Sequence, residues 1–449
     1  MNRDDTIYAL SSAAGRAGVA VIRLSGPRSG PALRTLTQSL PAARTAALRA
    51  ICDPQSGGLI DRGLILWFPA PHSFTGEDCA EFQIHGGRAV IAALLAALSA
   101  LPGLRLAEAG EFARRAFANG KLDLTAAEGL ADLIDAETEA QRRQAVHQAG
   151  GHLARLYEGW RRDLIAALAL QEAAIDFSDQ QDIAADASAQ AESRVGKLLT
   201  AITAHLDDGN RGEILRGGFE VAIAGPPNAG KSSLLNALAR RDVAIVSEEA
   251  GTTRDVLELR LDLDGMPVTV ADTAGLREAL GKVEQEGIRR AMQRAQRSHV
   301  VIWLQDVTAA GCFLPLGLDE PAPVTLPVFN KIDLLKHPRR KLPSHSGAEV
   351  FAISTASGEG IDRLIARLGE LARARIGSIA DPAITRHRHR IQLHHCQQAL
   401  KDYLAGEAED IELRAEDLRQ GAVFLGRITG HVDVEDVLDL VFSSFCIGK

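Results

Sequence analysis

The chain has 449 residues, of which 46% are hydrophobic and 24% are charged. This composition is typical of globular domains, about three at this length, and it excludes a wholly disordered chain, a collagen and a disulfide-stapled miniprotein. The formal net charge of −8 gives no overall positive field, so any contact with nucleic acid requires a local basic patch.

Two features of the sequence indicate the compartment. The start of the chain carries Asp4 and Asp5 and has no apolar core, which argues against a signal peptide. The cysteines are scattered without a CxxC pair, which favours reduced thiols over a disulfide framework or a zinc site. We expect a cytoplasmic protein that does not span a membrane.

The first 120 residues alternate strand-like and helix-like segments. Apolar runs predict strands over residues 18–24, 64–68 and 82–84. The apolar run from Arg88 predicts a helix that Pro102 and Gly103 end. We therefore expect a small α/β domain over residues 1–120.

Residues 121–215 contain no proline and carry an apolar stripe of helical period. The stripe comprises Leu124, Leu130, Leu133, Ile134, Leu153, Leu156, Trp160, Leu164 and Leu168. A set of long helices that serves as a packing scaffold explains most of this pattern. The chain is helical again near its end, and we expect residues 121–215 and 376–449 to pack together as one helical domain.

The intervening residues 216–375 show a βαβ pattern. Apolar runs predict strands over residues 219–224, 268–271, 300–304, 327–329 and 350–353. Strands that alternate with helices predict a parallel sheet with right-handed crossovers, here inserted within the helical domain.

The first chemical motif lies where this region begins. Residues 225–232 read Gly-Pro-Pro-Asn-Ala-Gly-Lys-Ser and fit the pattern G-x-x-x-x-G-K-[ST] between a predicted strand and a predicted helix. The glycines let backbone N–H groups close around phosphate oxygens, and the helix N-terminus adds a favourable dipole. Lys231 can bring its charge to the β and γ phosphates, and the Ser232 hydroxyl can ligate Mg²⁺.

Three further elements follow in the order expected of a GTPase. The Asp-Thr-Ala-Gly sequence at 272–275 ends an apolar strand and places a carboxylate near the Mg²⁺ water shell. The segment 251–255 contains Thr252 and Thr253, one of whose hydroxyls can sense the γ-phosphate as a switch segment does. The Asn-Lys-Ile-Asp sequence at 330–333 offers a carboxylate that can accept both N–H donors of guanine, and 354–356 can close the base pocket. The set predicts GTP rather than ATP.

The position after the second element carries an unusual residue. Leu276 stands where Ras-like GTPases have a glutamine that orients the attacking water. Leucine neither donates nor accepts a hydrogen bond, so another group must position the water. The candidates are a bound cation or one of Arg277, Glu278, Glu284 and Glu286.

Nearly the full length of the chain resembles the MnmE (TrmE) family of tRNA-modification GTPases. In addition to the GTP motifs, the resemblance is carried by residues 15–19 (GRAGV), 22–26 (IRLSG), 73–78 (SFTGED), 85–87 (HGG), 110–112 (GEF), 121–124 (KLDL) and 445–449 (FCIGK). It implies an α/β plus all-α architecture, with an N-terminal folate-binding-like domain and a Ras-like P-loop G domain inserted into a central helical domain.

The resemblance implies a function as well. Proteins similar to this one hydrolyse GTP and work with an FAD-dependent partner, MnmG, in a heterotetramer or larger assembly. Together they place an aminomethyl-type group on the wobble uridine of certain tRNAs. The carbon comes from a formyl- or methylene-tetrahydrofolate that is bound by the N-terminal domain, through which the proteins form homodimers.

The implied folate contacts fall on Arg23, Glu81, Lys121 and Lys449. Cationic Arg23 and Lys121 suit the carboxylates of the glutamate tail, and Glu81 can pair with the N–H edge of the pterin. Cys446 is a candidate near the one-carbon chemistry, and a buried, inert cysteine is the alternative.

The resemblance also implies that K⁺ bridges a dimer of G domains during hydrolysis. The cation positions fall on Asn228, Ser247, Glu249 and Thr252. Thr253 takes the Mg²⁺-sensing role beside Ser232, and Glu284 takes the role of orienting water, so that Glu284, Lys231 and Thr253 are the expected catalytic residues. A cation in this place would supply the positive charge that an arginine finger otherwise brings.

The complete GTP site follows from the motifs and the resemblance together. The residues expected to contact GTP are Asn228, Ala229, Gly230, Lys231, Ser232, Ser233, Ser247, Thr252, Thr253, Asp272, Thr273, Ala274, Gly275, Asn330, Lys331, Asp333, Ser354, Thr355 and Ala356. Two positions depart from the family pattern: 354–356 reads Ser-Thr-Ala rather than Ser-Ala-Lys, and Ser247 replaces a threonine.

Two alternative functions fit parts of the sequence. The GTP motifs alone permit a regulatory switch, for instance in ribosome assembly, without one-carbon chemistry. The N-terminal motifs permit a folate-dependent transferase whose GTPase is only structural.

The dense basic segment 386–390 (RHRHR) could bind tRNA phosphates, and a solvated helix start is the alternative interpretation.

Overall fold

The computed structural model describes residues 5–13, 15–177, 180–245, 258–272, 296–309, 324–335, 349–377, 382–407, 410–432, 435–443, 445, 446 and 448. The strands in this part of the chain are β1 Thr6–Leu10, β2 Ala17–Ser25, β3 Ala47–Cys52, β4 Leu59–Phe68, β5 Cys79–Gly86, β6 Leu104–Leu106, β7 Phe219–Ala224, β8 Glu258–Leu263, β9 Met266–Asp272, β10 Val300–Asp306, β11 Val324–Asn330 and β12 Phe351–Ala352. The helices are α1 Ser29–Thr37, α2 Arg88–Ser99, α3 Glu111–Ala118, α4 Leu124–Ile134, α5 Glu139–Ala149, α6 His152–Asp176, α7 Gln181–Leu206, α8 Arg211–Gly217, α9 Lys231–Ala239, α10 Ile361–Ile376, α11 His387–Ala405, α12 Ile411–Thr429 and α13 Glu435–Ser443.

The chain divides into two compact units. The first comprises Met1–Ala131, Gln148–Val195 and Ala399–Lys449, and the second comprises Asp132–His147 and Gly196–Gln398. None of the described helices is long and apolar enough to cross a membrane.

The first unit contains a mixed sheet of order β3-β4-β5-β2-β1-β6. All neighbouring strands are antiparallel except β1 and β6. Helices α1 and α2 cover one face, where Leu33 and Leu94 pack with Ile22, Ile65 and Phe82, all with no exposed surface. Because side chains alternate between faces along a strand, the residues between these apolar positions point to the opposite face.

The helical part of the first unit joins residues from both sides of the G region. Helix α12 packs along α6. The buried hydroxyl of Tyr403 on α11 donates a hydrogen bond to Gln171 Oε1 on α6 at 2.9 Å. Helices before and after the nucleotide-binding region thus pack together in this unit, while residues 132–147, 196–215 and 376–398 belong to the second unit.

The second unit contains a sheet of order β12-β11-β10-β7-β9-β8. Five neighbouring strands of this sheet run parallel to one another, as the alternation of strands and helices predicts: β12, β11, β10, β7 and β9. The expectation of a wholly parallel sheet is wrong at the edge, where β8 pairs antiparallel with β9. The sequence carries the signal for this hairpin: Glu258–Leu263 alternates polar and apolar residues, and Asp264 and Gly265 both adopt the positive φ of a tight hairpin turn.

The predicted strands lie where they were expected, and several elements were not predicted. The prediction over 219–224 matches β7, and the other predicted strands overlap β2, β4, β5, β9, β10, β11 and β12. Strands β1, β3, β6 and β8 and helix α1 were not predicted. Most of these are short, and the nine residues of α1 include Gly30 and Pro31, which weaken the helical signal.

Candidate functional site

The predicted phosphate-binding loop joins β7 to α9. Its backbone is unusual, because Gly225, Asn228 and Gly230 have φ values of 145°, 61° and 97°. A Cβ on Gly225 would lie 2.1 Å from the carbonyl oxygen of Leu304, so only glycine fits there. The sequence thus folds into the strand, loop and helix that the motif requires.

The end of this loop presents polar groups suited to an anion. Gly230 is the N-cap of α9, so no side chain caps the N–H groups of the first helical turn. Lys231 Nζ donates to the carbonyl oxygens of Gly225 and Pro226, both at 3.0 Å, which keeps the ammonium against the loop. The first turn exposes Ser232 and Ser233. The Ser232 hydroxyl is suited to ligate Mg²⁺.

Asn330 ties the base-recognition motif to the phosphate loop. Its side chain has no exposed surface. Nδ2 donates to the carbonyl oxygen of Ala229 at 2.9 Å, and Oδ1 accepts from the backbone N–H of Thr355 at 3.1 Å. Asn330 therefore joins two predicted GTP-contacting loops, and its amide is committed to the protein.

Asp333, the residue expected to recognise guanine, is oriented by Ser354. The Ser354 hydroxyl donates to Asp333 Oδ1 at 2.5 Å and accepts from the backbone N–H of Ser357 at 3.1 Å. Thr355 and Ala356 follow in the same turn. The predicted base residues 330, 331, 333 and 354–356 are thus brought together at the ends of β11 and β12.

Asp306 is a polar residue of this site that sequence reasoning missed. It ends β10 and pairs in register with Asn330. Its Oδ2 accepts from Lys331 Nζ at 2.7 Å, and its Oδ1 accepts from the backbone N–H and the hydroxyl of Thr308. Burial acts to raise the pKa of Asp306, but the hydrogen bonds from Lys331 and Thr308 outweigh it and lower the pKa. The sequence feature that could have identified Asp306 is its position at the end of a buried strand.

The predicted switch and cation residues lie largely outside the described residues. This holds for Ser247, Glu249, Thr252, Thr253, Thr273, Ala274, Gly275, Leu276, Arg277, Glu278, Glu284 and Glu286. Asp272 ends β9 as predicted, and its side chain is also outside the described part.

In the first unit, Arg23 and Glu81 are brought together. They are register partners on β2 and β5, and Arg23 Nε donates to Glu81 Oε1 at 3.0 Å. The guanidinium lies 5.4 Å from the ring centroid of Phe74 and 5.9 Å from that of Phe112. The structure thus brings these two predicted folate contacts together on neighbouring strands.

Lys121 lies against the loop of residues 73–78. A Cβ on Gly76, which has a φ of 81°, would lie 3.2 Å from Lys121 Cε. The loop is anchored through Glu77, whose carboxylate accepts from Ser25 Oγ at 2.7 Å and from Arg115 Nη1 at 3.1 Å. The structure thus places Lys121 beside the loop that also carries Phe74.

Arg115 anchors this loop from a buried position that sequence reasoning missed. Only 5% of its side chain is exposed. Its guanidinium pairs with Asp5 at 2.7 Å and with Glu111 at 3.0 Å, in addition to Glu77. Burial acts to lower the pKa of Arg115, but these carboxylates more than compensate and raise it. The arginine is therefore charged at all relevant pH values.

The end of the chain lies beside β1. The Ser11 hydroxyl donates to the carbonyl oxygen of Gly448 at 2.9 Å, and a Cβ on Gly448 would lie 2.3 Å from the carbonyl oxygen of Leu10. Leu10 follows Ala9, the register partner of Arg23. Cys446 is exposed rather than buried. Lys449 lies outside the described residues.

The basic segment 386–390 is engaged in ion pairs within the second unit. Arg386 pairs with Asp132 at 2.7 Å. Arg390, which is buried, pairs with Asp208 at 2.8 Å and with Glu213 at 3.1 Å. These contacts and the burial of Arg390 do not fit the alternative of a solvated helix start, and tRNA binding by the segment stays a prediction.

Comparisons with known proteins assign the family. A family model described as the MnmE helical domain matches residues 124–446, and a model described as the GTP-binding protein TrmE N-terminus matches residues 6–121. The chain belongs to the MnmE family. Within it, the tRNA modification GTPase MnmE of Parvibaculum lavamentivorans is 56% identical over 456 residues, covering 99% of this chain and 100% of that protein. The tRNA modification GTPase MnmE of Rhodospirillum rubrum is 51% identical over 462 residues and covers 99% of both.

Membership of the MnmE family confirms the predicted architecture of an N-terminal α/β domain, a helical domain and a G domain. The names of both relatives agree with the predicted enzyme class, a GTP hydrolase. Among solved structures, the G domain of the T. maritima FeoB iron transporter aligns with 34% of this chain and 98% of its own at 24% identity and a TM-score of 0.25, which adds nothing to the assignment.

Proposed function

We propose that this chain is a GTPase that modifies tRNA. It hydrolyses GTP in a K⁺-dependent cycle coupled to dimerisation of its G domains. With an FAD-dependent MnmG-like partner it adds an aminomethyl- or carboxymethylaminomethyl-type group to the wobble uridine of certain tRNAs, in the cytoplasm, with a tetrahydrofolate one-carbon unit.

The observation that carries the nucleotide part is the joining of phosphate loop and base motif. Asn330 bridges Ala229 to Thr355, and Ser354 orients the Asp333 carboxylate. A carboxylate held in one direction discriminates for a base that offers two adjacent N–H donors, as guanine does. The proposed contacts of GTP are the predicted residues, with Lys231 beside the phosphates and Ser232 as an Mg²⁺ ligand.

The K⁺ requirement follows from the chemistry of Leu276. Without a glutamine to orient water, hydrolysis needs another positive or polar group, and we assign K⁺ to Asn228, Ser247, Glu249 and Thr252. Asn228 lies exposed in the phosphate loop, which supports this role. Glu284 then orients the water and Thr253 senses Mg²⁺.

The test is the rate of GTP turnover in matched K⁺ and Na⁺ buffers. We expect hydrolysis to be at least tenfold faster in K⁺, since an arginine finger in the same electrostatic role contributes far more than this. Glu284→Ala should keep the affinity for GTP and lose turnover. Equal turnover in the two salts would remove the cation from the mechanism.

The folate part rests on the Arg23–Glu81 pair and its surroundings. Glu81 offers a carboxylate to the N–H edge of a pterin, and the partly exposed Phe74 supplies apolar surface for the ring. Lys121 and Lys449 are the proposed partners of the glutamate carboxylates. Cys446, being exposed, is available to the one-carbon chemistry.

Calorimetry with formyl-tetrahydrofolate tests this site. We expect the wild type to bind, Glu81→Gln and Arg23→Ala to bind at least tenfold more weakly, and the exposed Arg62→Ala on β4 to bind as the wild type. An absence of binding by the wild type would favour the regulatory switch over the folate-dependent enzyme.

A homodimer through the N-terminal domain is supported by an uncovered apolar area. Leu48 and Leu64 are register partners on β3 and β4, and they are 65% and 42% exposed. They lie on the sheet face opposite to α1 and α2, the face that also carries Arg23 and Glu81. Exposed apolar pairs of this kind are typical of interfaces.

A further inference from the structure

The nucleotide site contains a carboxylate with no assigned role. Asp306 is 20% exposed and lies at the end of β10, and its two carboxylate oxygens are committed to different partners. Thr308 holds Oδ1 through its backbone N–H at 2.8 Å and its hydroxyl at 2.7 Å. The remaining oxygen, Oδ2, faces Lys331. Thr308 thus holds one oxygen of the carboxylate, and Lys331 binds the other.

Lys331 spans the gap between the base motif and the phosphate loop. Its Nζ donates to Asp306 Oδ2 at 2.7 Å and to the carbonyl oxygen of Asn228 at 2.9 Å. Its backbone has a φ of 67°, a left-handed conformation that is unfavourable for a lysine and that the surrounding contacts must maintain. A long, flexible side chain is thus held in one geometry at both ends.

Two bridges therefore fix the separation of the two loops. One runs from Asn330 to Ala229 and the other from Lys331 to Asn228. A nucleotide must contact both loops at once, so a separation that is set beforehand reduces the entropy lost on binding. The second bridge depends on Asp306, because an ammonium without this carboxylate would gain more from water than from one carbonyl oxygen.

We propose that Asp306 is a positioning residue of the guanine-nucleotide site, which fixes Lys331 against the Asn228 carbonyl and so holds the phosphate loop and the base motif at the spacing that GTP and GDP require. The proposal rests on the nucleotide site proposed above. It is independent of the K⁺-dependent cycle, of folate and of RNA, because GDP binding in Na⁺ buffer needs none of them.

The experiment measures the Kd of a fluorescent N-methylanthraniloyl-GDP for the full chain in Na⁺ buffer. Loss of a charge-assisted hydrogen bond is expected to raise the Kd of Asp306→Asn by about tenfold or more. Thr308→Ala, which removes one donor to the carboxylate and keeps its charge, should raise it by a smaller factor. Asp264→Asn is the matched control, because Asp264 forms an exposed pair with Arg373 on another part of the unit.

A second readout separates positioning from general destabilisation. In the background of Lys331→Met, which keeps the stem and removes the ammonium, Asp306→Asn should change the Kd by less than about twofold, since two groups that act as one are not additive. For GTP, Asp306→Asn should raise KM and change kcat by less than about twofold, as expected for loss of uniform binding. The proposal would be overturned if Asp306→Asn and Thr308→Ala both bound GDP with the wild-type Kd. It would also be overturned if Asp306→Asn raised the Kd by the same factor in the wild type and in Lys331→Met.

Discussion

At the scale of single residues, the site depends on hydrogen bonds that orient charged groups rather than on the charges alone. A hydrogen bond to a neighbouring side chain fixes the direction of each of three charged groups, on Asp333, Lys331 and Glu77. Charge-assisted hydrogen bonds of this kind contribute more than neutral ones, and they leave little freedom to the side chain. Removing the partner should therefore weaken binding even though the ligand-contacting residue remains.

Ser354→Ala tests this for the base. The variant removes the donor to Asp333 Oδ1, so the carboxylate gains freedom and the free energy of GDP binding should weaken by about 1 kcal/mol, a roughly fivefold higher Kd. Ser357→Ala is the control, because its exposed hydroxyl accepts only from the backbone N–H of Glu359 at 3.4 Å. An unchanged Kd for Ser354→Ala in fluorescence titration would remove the orienting role of Ser354.

His205 predicts a pH dependence of stability. Burial lowers its pKa to about 4, with Arg390 and His389 acting in the same direction and Asp208 opposing them. Below the ordinary value of 6.5 the unfolded chain takes up a proton that the folded chain does not. The stabilisation by neutral His205 is therefore complete above pH 6.5 and is lost as the pH falls towards 4.

Urea denaturation at pH 7.5 and pH 5 measures this effect. Over that interval the wild type should lose about 1–2 kcal/mol more free energy of unfolding than His205→Gln, which cannot take up the proton. Parallel losses for the two proteins would show that His205 does not titrate as its burial implies.

At the scale of elements, the phosphate loop depends on close approach of backbone to neighbouring groups. A Cβ on Gly230 would lie 2.3 Å from Asn330 Nδ2, and the φ of 97° is itself unfavourable for other residues. Asn330 would have to leave Ala229, which would separate the base motif from the loop. The same substitution in an open helix has none of these consequences.

Gly230→Ala should therefore raise the Kd for GDP by about two orders of magnitude or abolish binding, since it removes a buried hydrogen bond and adds strain. Gly159→Ala on α6 is the control, because the added Cβ would meet no atom within 4 Å other than its own helix backbone and chain neighbours. It should bind GDP normally and unfold at an equal or slightly higher temperature. Normal GDP binding by Gly230→Ala would contradict the described loop geometry.

The phosphate loop shows how much of the site could be predicted from the sequence. Residues 225–232 are contiguous and their backbone requirements are local, so strand, loop and helix were all predictable. Asp306 and Arg115 were not, because their partners Lys331 and Asp5 are distant in the sequence and only the folded sheet brings them together. The pairing of Arg23 with Glu81 likewise required the register of β2 and β5.

At the scale of the whole molecule, the N-terminal sheet leaves an apolar area uncovered. Leu48→Arg places a charge opposite Leu64, and a buried charge without a partner is costly. We expect this variant to lower the association constant of the dimer by at least tenfold. Sedimentation velocity measures this as a smaller fraction of dimer. Leu413→Arg, at a 67% exposed leucine on α12, is the control and should leave the fraction unchanged. A wild-type dimer fraction for Leu48→Arg would exclude this face as the interface.

The central claim is that nucleotide hydrolysis at the described loop drives modification of tRNA. The most direct measurement is the nucleoside profile of tRNA from a strain that lacks the protein and is complemented with wild type or with Lys231→Ala. We predict that the wild type restores the modified wobble uridine and that Lys231→Ala does not, because the variant lacks the ammonium that lies against the Gly225 and Pro226 carbonyls of the phosphate loop. Equal restoration by both proteins would contradict the claim and would reduce the GTPase to a structural domain.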